Sequence, residues 1–170
     1  MFLKIMRKFK NEKKKVCRIE EVNINTGRVI LYYKGGLSTI VHSDLKNVTQ
    51  DPDIISSINS VHASWLGYYY GKFRTTSETS WSPNKSPGLF LKSNKGIFNI
   101  LSQDRAGNIL YVNKLNNERY LCDPISLLQN EYEIDNFDPS QACYIGILAW
   151  YGLSKRQSNF PTKPELRLVR

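Results

Sequence analysis

The run at 142–152, ACYIGILAWYG, constrains this chain more than any other stretch. It is uncharged and almost wholly apolar, yet Ser154-Lys155-Arg156 follow it closely. It therefore falls short of the roughly 20 apolar residues that a membrane span requires. A relative, ASWLGYYYG, stands at 63–71. In each run an alanine and a glycine lie four apart, Ala63/Gly67 and Ala142/Gly146, and so share one helical face. Small residues on such a face let a second backbone approach closely. A helix that is apolar nearly all round belongs in a core. The pattern predicts two central helices packed through these alanines and glycines.

The resemblance extends outward from the two runs. Residues 41–67 lie over 120–146 without a gap, matching Asp44 to Asp123, Gln50 to Gln129, Ile55 to Ile134, Ala63 to Ala142 and Gly67 to Gly146. With one residue of slack, TGRVILYYK (26–34) falls on AGNILYVNK (106–114), and with another, VCRI (16–19) falls on IFNI (97–100). Five identities are few, but every element recurs in the same order, which is the mark of an internal repeat.

Each unit reads as strand, strand, strand, helix. KVCRIEEV and KGIFNILSQ are β-rich runs closed by the turn formers NTG and DRAG. RVILYYK and NILYVNK follow as second strands, then STIVH and ERYLC as third strands after the turns GG and NN. Asp44 and Asp123 begin short helical turns, the second with Pro124 at its first position. Asp138 and Pro139 open the last helix in the same way. In the first unit Ile54, Ile58, Val61, Trp65 and Tyr69 keep a 3–4 rhythm, which predicts one buried stripe.

These readings predict an α+β protein of two tandem β-β-β-α repeats related by a pseudo-twofold, with small antiparallel sheets and central packed helices. Its segments are a basic amphipathic arm at 1–15, a first repeat at 16–72, a Ser/Thr/Pro-rich connecting loop at 73–95, a second repeat at 96–153 and a basic tail at 154–170. The chain has 170 residues, 41% of them hydrophobic, enough for one well-buried body. The charged opening MFLKIMRKFK is no secretory signal, and the expected compartment is the cytoplasm. Cys17, Cys122 and Cys143 are an odd number at wide spacing, which is neither a zinc pattern nor a disulfide framework, and they read as buried free thiols.

Charge is concentrated at the ends. Residues 1–18 carry a balance of +7 and residues 154–170 a balance of +4, while the whole chain is +9, so the body between is −2. Cationic arms on a near-neutral body suit an anionic partner better than a charged groove within the fold. Lys4, Arg7, Lys8, Lys10, Lys13, Lys14, Lys15 and Arg18 are the candidate contacts to that partner, joined by Lys72 and Arg74. Lysine and arginine arms neutralise nucleic-acid phosphates without regard to sequence. Tyr68, Tyr70, Phe73 and Trp81 interleave with those cations and are candidates for stacking on bases. Phe2, Ile5, Met6 and Phe9 recur at i, i+3, i+4 and i+7 among the basic residues, a pattern suited to docking on a protein groove or an anionic membrane surface.

No reaction is specified. His42, Ser43 and Asp44 are neighbours on a strand, and alternation sends them to opposite faces, so they cannot converge as a triad. His62 beside Ser64 has no local partner to complete a nucleophile pair. The glycines of KGG (34–36) join two strands rather than opening a helix, which rules out a phosphate loop. Glu131, Glu133, Asp135 and Asp138 lack the order of a calcium loop and read as a solvated segment. No catalytic residue, cofactor or metal is assigned, and the balance leans away from an enzyme. The expected function is a non-enzymatic binding or adaptor protein whose basic arms engage nucleic acid. The alternative is a bacterial or phage regulator or effector that docks on a protein or membrane through its N-terminal amphipathic helix.

Overall fold

Asn23 and Asp104 show how local chemistry starts this fold. The computed structural model describes residues 15–34, 39–78, 80–83 and 95–159. Strands β1 (Lys15–Asn23) and β2 (Arg28–Lys34) are joined by a turn in which the Asn23 side chain accepts from the backbone N–H groups of Asn25 and Thr26. Gly27 closes that turn at φ 71°, a left-handed conformation that glycine adopts without steric penalty. Strand β3 (Thr39–Asp44) completes an antiparallel sheet of order β1-β2-β3. After it come three helices, α1 (Leu45–Gln50), α2 (Pro52–Ser57) and α3 (Ser60–Ser77).

The same order then recurs. Strands β4 (Phe98–Gln103), β5 (Ile109–Asn113) and β6 (Arg119–Cys122) form a second antiparallel sheet, and α4 (Pro124–Gln129), α5 (Glu131–Ile134) and α6 (Pro139–Asn159) follow. Asp104 accepts from the backbone and side chain of Asn108, and Gly107 closes the turn at φ 91°. The backbone N–H of Asn108 stabilises the ionised Asp104 carboxyl and holds it below the usual range. The fold is thus mixed α+β with two small antiparallel sheets.

Capping side chains set the helix starts. Asp44 accepts from the Asn47 N–H, Asp51 from Asp53 and Ile54, Asn59 from His62, Asp123 from Ile125 and Asn130 from Glu133. Each satisfies a backbone donor that the first helical turn leaves without a partner.

The core forms where both sheets meet the long helices. Val29 and Leu31 come from β2, Ile109 and Tyr111 from β5, and Leu45, Val48, Ile55, Leu127, Ile134 and Phe137 from the short helices and their joins. Helices α3 and α6 lie side by side and run the same way, Ser60 beside Phe137 and Gly71 beside Ile147 and Trp150. Their contact is made through glycine. A Cβ on Gly67 would stand 1.9 Å from the Cys143 carbonyl oxygen, and one on Gly146 would stand 1.7 Å from that of Ser64. Ala63 and Ala142 are both fully buried. The apolar run at 142–152 therefore lies in the core, with every residue from Gln141 to Ala149 buried.

Two hydrogen-bonded links between polar groups cross this interior. The Gln141 amide donates to Asn99 Oδ1 at 2.7 Å and accepts from the Ile100 N–H, fastening β4 to α6. The Ser60 hydroxyl donates to the Phe137 carbonyl at 2.6 Å. Such bonds offset the cost of taking polar atoms out of water.

Four expectations change. The 3–4 rhythm from Ile54 to Tyr69 is not one stripe, because the helix breaks at Ile58–Asn59 and the buried face of α3 is instead Ala63, Leu66, Gly67 and Tyr70. Residues 73–77, read as loop, continue α3 to Ser77, and Trp81 packs partly buried against the core. Helix α6 extends through Asn159 rather than giving way to a tail at 154. The acidic segment forms α5, with Glu133 accepting from the Tyr111 hydroxyl at 2.6 Å and Asp138 buried.

Candidate nucleic-acid interface

Because α3 and α6 run side by side in the same direction, aromatic side chains from the middle of both helices gather along the pair. On one flank Trp65 meets Tyr68 edge-on at 5.5 Å and Tyr69 at 6.2 Å. Tyr68 in turn meets Trp150 of α6 edge-on at 5.4 Å. Lys72 places its ammonium 5.4 Å from the Trp150 ring centroid, and the Trp150 indole N–H donates to the Thr75 hydroxyl at 2.7 Å. Edge-to-face rings and cations over ring faces are both favoured by the aromatic quadrupole.

The opposite flank is more closed. Tyr70 is buried and meets Trp81 edge-on at 5.8 Å. The Arg74 guanidinium lies 5.9 Å from the Trp81 centroid and pairs with Glu78 at 2.8 Å. On α6, the Lys155 ammonium stands 4.6 Å from the Tyr151 ring centroid. Helix α6 is further tied to α4 by Arg156, which donates to Asp123 at 2.7 Å.

These surroundings move the phenols. Burial raises Tyr68, with the neighbouring Tyr69 adding to the effect. Burial also raises Tyr70, against the pull of Arg74. At Tyr151 burial pushes upward, but hydrogen bonds with Lys155 and Ser82 and the charge of Lys155 outweigh it, so this phenol lies below its ordinary range. Tyr151 is held in a cationic setting while Tyr68 and Tyr70 are held neutral.

The sequence-derived candidates are distributed unevenly over this surface. Lys4, Arg7, Lys8, Lys10, Lys13 and Lys14, with Phe2, Ile5, Met6 and Phe9, lie outside the described residues. Lys15 and Arg18 stand on β1, opposite Lys34 and Tyr32 of β2. Lys72 and Arg74 are both on α3, each against a tryptophan ring. Of the four stacking candidates, Tyr68 belongs to the open flank. Tyr70 is 6% exposed, with one side taken by Trp81, so its ring is not open to a base in this arrangement. Phe73 closes over the first hairpin, where a Cβ on Gly27 would stand 2.7 Å from its ring. Trp81 fills the space between Tyr70 and Arg74.

Sequence reasoning passed over Trp65, Tyr69 and Trp150 as members of this surface. For Trp65 and Tyr69 a signal existed, since with Lys72 they follow one helical stripe. It was absorbed into the apolar rhythm that the break at Ile58 interrupts. Trp150 joins only through tertiary contact.

Among the described residues no group of three or more His, Cys, Asp or Glu side chains is placed to hold a metal ion. No helix among them is long and apolar enough to cross a membrane. The surface offers rings, hydroxyls and cations. The chain matches no family model, and no curated protein or solved structure is significantly similar to it.

Proposed function

We propose that this protein is a non-enzymatic nucleic-acid-binding or adaptor protein in which a compact body carries basic arms. The observation that carries the reading is the placement of charge: the residues before β1, 1–14, carry a balance of +5 and those after α6, 160–170, a balance of +2, leaving only +2 of the chain's +9 for the 145 residues between. Arms of that kind release counterions from a phosphate backbone and bind it independently of sequence. The two central helices support the reading, since neither α3 nor α6 contains a carboxylate while together they carry Lys72, Arg74, Lys155 and Arg156.

The body itself we read as two tandem β-β-β-α repeats related by a pseudo-twofold along the α3/α6 pair. Three pairs of helix-starting residues support this: 44 and 123, 51 and 130, 59 and 138 each stand 79 residues apart. The glycine contacts support it too, because Gly67 against Cys143 and Gly146 against Ser64 exchange under the same 79-residue shift. A reciprocal contact of this form is what a twofold relation between two copies produces. On this reading the repeats supply a rigid carrier and the arms supply affinity.

The test is a titration of labelled oligonucleotides with the full chain and with a Lys8/Lys10/Lys13/Lys14→Ala variant, all four substitutions preceding β1. Salt-sensitive binding by the full chain is expected. The variant should bind more weakly, with a log–log salt slope shallower by about 3, from roughly 0.7 per lost phosphate contact on a single strand. No binding at low salt, or an unchanged slope in the variant, sinks the reading and turns attention to a protein or membrane partner for the amphipathic arm.

A further inference from the structure

His62, Trp65, Tyr69 and Lys72 follow one another along α3 at steps of three, four and three, which places them on one stripe. All four are open or half-open to solvent. The corresponding stripe of α6 is buried at Gln141, Tyr144 and Leu148. Counted from the helix-starting residues Asn59 and Asp138, the sixth position is Trp65 in α3 and Tyr144 in α6, and the tenth is Tyr69 and Leu148. Trp65 is 37% exposed, whereas Tyr144 and Leu148 are 6% and 2% exposed. One helix thus displays large rings at positions where its counterpart builds core.

The displayed rings are held in place from behind. Trp65 and Tyr69 are inclined at 36° to each other, and Tyr68 braces both edge-on while resting against Trp150. Lys72 stands at the end of the row, over Trp150. Neither helix contains a carboxylate, and Glu78, which ends α3, is paired with Arg74 on the other flank, so the charged side chain beside the rings is Lys72. Flat apolar faces, phenolic hydroxyls and an adjoining cation complement a ligand that is planar and anionic at once. Unpaired nucleotides meet that description, and a duplex, whose base faces are stacked inside it, does not.

We infer that Trp65 and Tyr69 form a platform on which unpaired bases of a single-stranded nucleic acid stack, with Lys72 set against the phosphates. The inference rests on the nucleic-acid reading above and adds to it a site and a preference. The arms hold any phosphate backbone, and the platform favours the single strand.

The test compares a fluorescein-labelled oligo-dT with a duplex of equal length, by anisotropy, on the full chain, a Trp65→Ala/Tyr69→Ala variant and a Trp65→Phe/Tyr69→Phe variant. The alanine variant is expected to lose about tenfold or more in single-strand affinity, in line with the stacking lost per base. Its duplex affinity should be unchanged, and the phenylalanine variant should keep most of the single-strand affinity because its rings still stack. Equal single-strand binding by the full chain and the alanine variant overturns the platform while leaving the arms in place. A loss shared equally by single strand and duplex also overturns it. If the full chain binds neither probe, the nucleic-acid reading itself has failed and the platform falls with it.

Discussion

At Gly67 and Gly146 a single methyl group decides whether the two long helices can meet. An added Cβ would overlap the Cys143 or the Ser64 carbonyl oxygen, and backbone atoms in a packed helix cannot give way as a side-chain tip can. Gly67→Ala and Gly146→Ala should each cost about 3 kcal/mol or more, at the upper end for overpacked cores, and equilibrium urea unfolding measures it. The reciprocal contact further requires the two losses to be similar. Among the described residues nothing lies within 4 Å of the Gly152 Cβ position, so Gly152→Ala should be neutral or stabilise by up to about 1 kcal/mol through helix propensity. Cys143, between these glycines, is fully buried, and burial pushes its thiol from 9.0 up to about 12. The unfolded thiol ionises first, so its contribution is intact below pH 9 and is lost progressively as pH rises toward 12. Tyr70, Tyr111 and Tyr144, also raised chiefly by burial, deepen the alkaline loss above their ordinary 10.0. Melting temperature followed from pH 8 to 11 should fall from about pH 9, and Cys143→Ala should lessen the early part of the fall.

Among the elements, those governed by local chemistry were the most legible. β2 coincides with the run RVILYYK, and the two hairpin turns close on Gly27 and Gly107 as their sequences imply. Capping residues announced α1, α4 and α6, because an Asp beside its own backbone donors acts over two or three residues. The break between α2 and α3 was hidden, since apolar spacing runs through Ile58 without interruption while Asn59 starts a new helix there. The length of α3 was hidden as well, because Thr75, Thr76 and Ser77 look like loop. In the fold their hydroxyls bond back to the carbonyls of Gly71, Lys72 and Phe73, one turn earlier. Asp123 has two duties, capping α4 and accepting from Arg156 of α6. Asp123→Ala should cost about 1 kcal/mol through the cap, whereas Asp123→Asn, which keeps a capping oxygen, should cost less than half of that, both read by urea unfolding. The exposed ion pair contributes little to either difference.

For the molecule as a whole, the placement of charge and the existence of a glycine-faced helix pair follow from sequence alone. Charge is a count along the chain, and an uncharged run that is too short for a membrane has only a core to occupy. The proposed salt-dependent binding through the arms belongs to this level, and it should survive substitutions in the body that leave the fold intact. What the tertiary structure decided is which face of each helix is left over. Tyr70 and Trp65 are both aromatic and five residues apart, yet one is core and the other surface. The choice depends on where α6, the first sheet and Trp81 happen to lie around α3. Trp150 reaches Tyr68 and Lys72 only because the glycines let two parallel helices close on each other. Short-range steric and hydrogen-bonding preferences are written into neighbouring residues, so turns, caps and strands can be read locally. Burial is a property of what arrives from elsewhere in the chain, and the aromatic surface came into view only when the packing was complete.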